Sequence, residues 1–162
     1  MSEALKGLIG RLAALVPGYT GYAAKEKRRD TDQALRLSIA ARLGAGRAAL
    51  DRNIAASAQG MRFESLEALE GLKRRAQALA DSVRHAPAGS AGLFSGVPVD
   101  EALLERIYAA DLAAREACEA VTAAFEAVPR GGSEPAVDRA HDALAAAEEV
   151  FRRRAETLAG VR

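Results

Sequence analysis

The sequence predicts an all-α protein: an antiparallel bundle of four long helices preceded by a short N-terminal amphipathic helix. Nearly half of the 162 residues are hydrophobic, yet only 4% are aromatic and tryptophan is absent. Such an alanine- and leucine-rich composition, with many Arg and Glu, is typical of helix bundles. Apolar residues recur three and four positions apart, and no alternating run reaches the length of a strand. A chain of this length can form one domain with a buried core.

The first predicted element is an amphipathic helix over residues 3–16, ended by Pro17 and Gly18. Its large apolar residues share one face: Leu5, Leu8, Ile9, Leu12, Leu15 and Val16. That face needs a surface to cover it. Docking on the chain's own bundle is the simplest arrangement; partner binding, self-association and a membrane interface are the alternatives. We therefore divide the chain into a helix and turn, 1–18, and a single bundle domain, 19–162.

The second predicted helix is long, covering residues 22–58, with Thr20 as a candidate N-cap. Its apolar stripe advances in steps of three and four residues, as one face of a helix requires. Gly44 and Gly46 lie in this stretch and each weakens the helix by about 1 kcal/mol. Glycines at these positions would also allow a neighbouring helix to approach closely or the helix to bend slightly.

The third predicted helix covers residues 65–85 and is followed by a linker, residues 86–98, rich in Pro, Gly and Ser. The linker carries an apolar pair, Leu93 and Phe94. Two helical hairpins joined by such a linker suggest a duplicated hairpin. No residue-level repeat supports the duplication, so it remains a statement about topology.

The fourth and fifth helices are predicted over about 100–128 and 135–159, joined by a turn at Gly131 and Gly132. The fourth helix carries the most regular stripe of the chain. Its positions are spaced alternately three and four residues apart: Leu104, Ile107, Asp111, Ala114, Cys118, Val121, Phe125 and Val128. Seven of these eight positions are apolar or small, and the exception is an aspartate.

Asp111 lies where the pattern calls for a hydrophobic residue, and a charge on a bundle seam is costly unless it is paired. Counting back from the turn at 131–132 places Asp111 level with about residue 152 of the fifth helix. Counting across the linker places it level with about residue 75 of the third helix and residue 47 of the second. We therefore predict a buried Asp–Arg network in which Arg152, Arg75 and Arg47 are the candidate partners. A partly exposed aspartate, or an acid–base or metal-binding one, is the alternative.

The net charge of +1 conceals an asymmetry along the chain. Residues 1–62 carry 11 Lys and Arg against 5 Asp and Glu, whereas residues 97–162 carry 8 against 13. Either the two parts pack together and neutralise each other, or the basic first third binds anionic lipid or nucleic acid. Scarce aromatics and near-neutral charge argue against a dedicated nucleic-acid module.

Motifs for catalysis and metal binding are not found. A di-iron bundle needs Glu-x-x-His, but the residues three before His141 and His85 are Asp138 and Ser82. No Cys and His spacing suits zinc. The one cysteine, Cys118, lies on the seam and is predicted to be a buried packing thiol. We predict no catalytic residue, no bound cofactor and no metal site.

A stretch that begins Pro17-Gly18-Tyr19-Thr20-Gly21-Tyr22 and continues to Arg36 resembles the opening of a family of uncharacterised bacterial helical proteins. The stretch from Phe94 to Leu112 is similar in kind. Genes of that family often lie near those of membrane-associated SPFH (band 7) proteins. The resemblance implies a membrane-remodelling or stress context and no catalytic residues. It also gives the charged stretch 25–36 a role beyond solvation, with Arg28 and Asp32 as a second polar cluster.

Together these features predict a non-enzymatic adaptor or assembly module that binds a protein partner or itself. The expected location is the cytoplasm, with peripheral contact at the inner membrane as an option. The candidate interaction surface combines the first helix, the tyrosine pair and the linker pair: Leu5, Leu8, Ile9, Leu12, Tyr19, Tyr22, Leu93 and Phe94. An anion or nucleic-acid binder that uses residues 1–62 is the alternative.

Overall fold

The computed structural model describes residues 1–86, 93 and 99–160, and this part of the chain is entirely helical in its regular structure. The prediction of an all-α protein is therefore confirmed. Five α-helices pack against one another, and a short 3-10 turn, Lys25–Lys27, precedes the second. The helices are α1 Glu3–Leu15, α2 Arg28–Gln59, α3 Phe63–His85, α4 Glu101–Glu126 and α5 Glu134–Ala159.

Local sequence accounts for the starts of α1, α4 and α5. The Ser2 and Asp100 side chains accept hydrogen bonds from Leu5 N and Leu103 N and so cap α1 and α4. Pro135 lies in the first turn of α5, where its missing N–H costs nothing.

The start of α2 differs from the prediction, because this helix begins at Arg28 rather than at residue 22. Residues 22–24 are bends and not helix, and they follow Gly21, whose φ of +83° is a left-handed conformation. The Thr20 hydroxyl does not cap the helix and instead lies 3.1 Å from the Thr31 hydroxyl. The residues before α2 thus form an irregular turn that enters the core through Tyr19 and Tyr22.

The helices pack as two hairpins, α2 with α3 and α4 with α5, with α2 beside α4 and α3 beside α5. Residues later in α2 contact residues later in α4. Cys118 Sγ lies 3.5 Å from Ile39 O, and the Asn53 side chain donates to Val128 O at 2.9 Å. These two neighbouring helices therefore run in the same direction, whereas each helix runs opposite to its hairpin partner.

The first helix docks on the protein itself. It packs against α4, burying Leu5 and Leu12, and Leu8 and Ile9 are partly buried against the core. Arg11 adds an exposed ion pair to Glu116 at 2.5 Å. The apolar face of α1 is therefore covered by this chain.

The two glycines of α2 differ in their surroundings, and this difference gives a prediction. A Cβ at Gly44 would meet nothing within 4 Å, whereas one at Gly46 would lie 3.2 Å from the Thr122 Cα of α4. We expect Gly44→Ala to raise the free energy of unfolding by about 1 kcal/mol through helix propensity. Gly46→Ala should raise the free energy of unfolding by less, or should lower it, because the added Cβ forces α2 and α4 apart. Urea unfolding of both variants measures the difference, and equal effects would contradict a close α2–α4 contact at Gly46.

Candidate functional site

Asp111 is the centre of a buried polar network. This α4 residue is 0% exposed, and both of its carboxylate oxygens are engaged. Oδ1 accepts a hydrogen bond from Arg154 Nε at 2.7 Å. Oδ2 accepts one from each of the Tyr19 and Tyr22 hydroxyls, both at 2.7 Å. The charge of the aspartate is therefore balanced by one guanidinium and stabilised by two hydroxyl donors.

Arg154 of α5 links Asp111 on α4 to Asp32 on α2. Its Nη2 donates to Asp32 Oδ1 at 2.6 Å, and Asp32 Oδ2 lies 2.9 Å from Arg36 Nε. Arg36 Nη1 in turn donates to the backbone oxygens of Arg84 and Ala86, at 3.3 and 2.7 Å. A continuous chain of polar contacts thus joins all four long helices to the turn before α2. We call Tyr19, Tyr22, Asp32, Arg36, Asp111 and Arg154 the buried network.

The two tyrosines are positioned by a third one on α4. The rings of Tyr22 and Tyr108 stack at 5.7 Å, and Tyr19 meets both at an angle. The Tyr108 hydroxyl accepts a hydrogen bond from the Tyr22 backbone N–H at 2.7 Å. A Cβ at Gly21 would lie 2.7 Å from that hydroxyl oxygen, so a glycine is required there for space as well as for its φ.

Arg28 and Thr31 hold the turn from the other side. Arg28 is buried and donates from Nε to Tyr22 O and from Nη1 to Leu93 O, both at 2.9 Å. The Thr31 hydroxyl donates to Gly21 O at 2.9 Å. Side chains of the first turns of α2 therefore satisfy the backbone of the irregular segment that precedes it.

Charges and burial fix the protonation of the network. Burial and the negative charge of Asp111 raise the pKa of both Tyr19 and Tyr22 above the ordinary tyrosine value, so both remain donors. Burial by itself lowers the pKa of Arg154, but its contacts with Asp111 and Asp32 more than offset this and the pKa is raised overall. The two tyrosines therefore keep their protons, and Arg154 keeps its positive charge.

No family model matches this sequence, and searches of curated proteins and of solved structures found no match either. Within residues 1–86, 93 and 99–160, no group of three His, Cys, Asp or Glu side chains could hold a metal ion. No helix in the same part of the chain is both long and apolar enough to cross a bilayer.

The predicted partners of Asp111 have to be corrected. Arg47 donates to the Gln77 side chain, Arg75 pairs with Glu148 at 2.8 Å, and Arg152 pairs with Glu149 at 2.7 Å on the surface. The partner of Asp111 is Arg154, two positions from Arg152. The register assigned across the linker was also wrong. On α2, the residue level with Asp111 is Asp32, which shares Arg154 with it, and not Arg47. Asp32 and Arg47 are 15 residues apart, or roughly 22 Å along the helix at 1.5 Å per residue.

Arg28 and Asp32, predicted as a separate polar cluster, lie beside and within this same network. Asp32 is 2% exposed and is bound by Arg154, whereas Arg28 fixes the backbone of the tyrosine turn. Arg154, Arg36 and the tyrosine hydroxyls were not predicted from the sequence as members of this site. Arg154 had a detectable signal, because it lies seven residues after Ala147 and four before Leu158 on the buried face of α5.

The predicted interaction surface also has to be corrected, because most of its residues are buried. Leu5, Leu12, Tyr19, Tyr22 and Leu93 are at most 5% exposed. They pack in the core or against α4, so they are not available to a partner while this fold persists. Phe94 lies outside the described residues.

Ion pairs connect the basic first third to the acidic last part. Arg42 pairs with Glu119 at 2.8 Å, and the N-terminal ammonium lies 3.3 Å from Glu101. The buried pair of Asp32 and Arg154 links the same two parts with opposite polarity. These contacts favour mutual neutralisation over a dedicated anion-binding face.

Removing either tyrosine hydroxyl is expected to cause a moderate loss of stability. We expect Tyr19→Phe and Tyr22→Phe each to lower the free energy of unfolding by about 1.5–3 kcal/mol, because each removes a hydrogen bond to a buried charge. Phenylalanine keeps the ring packing, so the loss reports the hydroxyl. Chemical denaturation measures it. A loss below about 0.5 kcal/mol would show that Asp111 does not depend on that donor.

The same tyrosines predict a dependence on alkaline pH. Their pKa is raised in the folded protein, so their contribution is complete below the ordinary pKa of about 10. Above that pH the unfolded tyrosines lose protons while the folded ones keep them. Stability should then fall by about 1.4 kcal/mol per pH unit for each tyrosine. The variant with both Tyr→Phe substitutions should lack this component, and a parallel pH profile in the variant and the wild type would contradict it.

Proposed function

We propose that this protein is a non-enzymatic helical adaptor or assembly module, at a membrane surface or in a stress-related complex. In place of the fully antiparallel bundle predicted from the sequence, its proposed architecture is two antiparallel hairpins of long helices, packed with α2 and α4 parallel and preceded by a short N-terminal helix. The proposal is carried by one observation: Asp111, the residue with the strongest sequence claim to chemistry, is 0% exposed and bound through both oxygens. A carboxylate in this state stabilises the fold and is not accessible to a substrate.

Other reactive groups support the same proposal. Burial raises the pKa of the Cys118 thiol to about 11, so the thiolate needed for nucleophilic attack is scarce at neutral pH. His141 lies next to Arg75, with 3.4 Å between the His141 Nδ1 and the Arg75 Nη1, and not next to Asp111. These side chains do not form the acid–base or nucleophile pairs that catalysis requires.

The surface proposed for partner binding is the α2–α3 turn, in place of the buried residues predicted from sequence. Met61 and Phe63 are 77% and 73% exposed there, the largest exposures among the large hydrophobic residues of the described chain. Met61 also has a φ of +53°, a conformation that is uncommon for residues other than glycine. Exposed apolar side chains on a strained turn favour a contact surface, because the fold gains nothing from them.

The test compares the wild type with a variant carrying Met61→Ser and Phe63→Ser. Sedimentation velocity from about 1 to 200 µM covers weak and moderate self-association. Affinity capture from the expressing cells, with quantitative mass spectrometry, covers a protein partner. We expect the variant to lose the association that the wild type shows. Leu37→Ser, 49% exposed on α2, is the matched control and should behave as wild type.

Two outcomes would contradict the proposal. A wild type that stays monomeric and enriches no protein over the turn variant would remove the assembly role. Salt-sensitive binding of RNA, DNA or anionic vesicles at about 50 mM salt would favour the anion-binding alternative. That alternative has weaker support, because Arg11 and Arg42 already pair with Glu116 and Glu119 on α4.

A further inference from the structure

A cavity of about 340 Å³ lies between α2, α3 and α5, directly beside the buried network. Its volume is at the lower end of the range of about 300–1,000 Å³ for small-molecule sites. This volume equals that of roughly eleven water molecules at about 30 Å³ each. The cavity therefore suits a small molecule and is too small for a helix or a peptide of a partner.

Four large apolar side chains form one part of the cavity wall. Ile39, Leu79 and Val83 are 1%, 6% and 7% exposed, and Phe151 is partly buried. Burying the apolar part of a ligand against them is favourable by about 25 cal/mol per Å². Such walls favour an aliphatic or similar apolar group over a sugar or a nucleotide.

Charged side chains also line this cavity, and most are arginines. Arg36, Arg152, Arg154 and Glu148 all have ion-pair partners, so any preference for an anion depends on guanidinium donors that are still free and not on an excess of positive charge. Arg154 uses Nε and Nη2 in the buried network, and Nη1 takes part in no hydrogen bond among the described residues. Its side chain is 10% exposed, so we infer that the Nη1 donors are offered to the cavity. A guanidinium group with free donors matches a carboxylate.

We propose that this cavity binds a small apolar carboxylate, with its acid group at Arg154 and Arg36 and its chain among Ile39, Leu79, Val83 and Phe151. The proposal is independent of the adaptor function, since it concerns a different part of the molecule from the α2–α3 turn. A carboxylate bound there would contact the same arginine that fixes Asp111 and Asp32. Binding would therefore stabilise the folded protein by mass action and raise its melting temperature.

The experiment uses octanoate, whose ten non-hydrogen atoms fit the volume, as the probe. Isothermal titration calorimetry and thermal unfolding of the full chain are compared for octanoate, octan-1-ol, octylamine and butyrate. We expect one octanoate per chain, with binding at least about tenfold tighter than that of octan-1-ol or butyrate, the size of one favourable charged or apolar contact. Octylamine should not bind, because an ammonium group cannot accept a hydrogen bond from the Arg154 Nη1 donors.

The location of the octanoate site is tested with substitutions at two neighbouring residues of α5, both partly buried. Phe151 lines the cavity and Val150 does not. Phe151→Ala should weaken octanoate binding by about tenfold or more, and Val150→Ala should leave it within about twofold. The absence of saturable octanoate binding, equal affinity for octan-1-ol, or equal effects of the two substitutions would each overturn the proposal. None of these results bears on self-association at the α2–α3 turn.

Discussion

Replacing Arg154 with methionine is expected to lower the free energy of unfolding by about 3–5 kcal/mol, the cost of removing one partner from a buried ion pair. Methionine retains much of the aliphatic volume, so the packing of α5 changes little. What is lost is the positive charge between Asp111 and Asp32, which are 0% and 2% exposed. Both carboxylates then remain in the core with fewer partners.

The neighbouring arginine provides the control. Arg153 is adjacent in sequence, but its side chain is 72% exposed and pairs with Glu149 on the surface. Arg153→Met should therefore change stability by no more than about 0.5 kcal/mol. Urea unfolding followed by circular dichroism measures both variants. Similar small losses for the two would show that the buried pairs contribute little.

A double variant separates charge from packing. If Asp111→Leu is combined with Arg154→Met, the second substitution no longer leaves a charge unpaired on α4. We expect the combined loss to be smaller than the sum of the two single losses by at least about 1 kcal/mol, as for other directly coupled residues. Additive losses would indicate that the two side chains act independently.

The length of each connection explains how much of the site could be predicted from the sequence. The turn between α4 and α5 is short, and it placed Asp111 level with residue 152, two positions from its true partner, Arg154. The linker of residues 86–98 can span about 40 Å when extended, so its length fixes no register between α3 and α4. The predicted partners reached through it, Arg75 and Arg47, were therefore wrong.

The helices themselves were predictable because their apolar periodicity is strong, and the all-α class followed from it. The turn before α2 was not, because its conformation depends on tertiary contacts. Tyr19 and Tyr22 have no periodic pattern and become core residues only when Asp111 and Tyr108 accept their hydrogen bonds. Apolar and aromatic residues near an N-terminus suggest an outer binding surface, but here the bundle itself covers them.

Leu12→Asp is expected to release α1 from the bundle, and it directly tests whether the bundle covers the apolar face of α1. Leu12 is 0% exposed, and its burial contributes about 1.5–3 kcal/mol. A carboxylate in its place would also be desolvated without a partner, which costs several kcal/mol more. Detachment avoids that cost. A free helix of 13 residues is marginal in water, so α1 should unfold when it detaches.

Hydrogen exchange followed by mass spectrometry resolves this outcome by segment. In the Leu12→Asp variant, amides of residues 3–16 should exchange at nearly unfolded rates, while α2 to α5 stay protected. The Leu15→Asp control, at a position already 37% exposed, should leave α1 protected. Unchanged protection of α1 in Leu12→Asp would mean that Leu12 does not hold it on α4.

The Tyr22 amide adds a second observable to the same experiment. It donates to the Tyr108 hydroxyl of α4, beside the buried network, and this bond involves no residue of α1. If the network anchors the turn by itself, this amide stays protected after α1 detaches, and the detached helix exposes Leu5 and Leu8 while the bundle remains folded. If protection is lost at both places, α1 and the tyrosine turn form one cooperative unit, and the network depends on the docked helix for its exclusion of water.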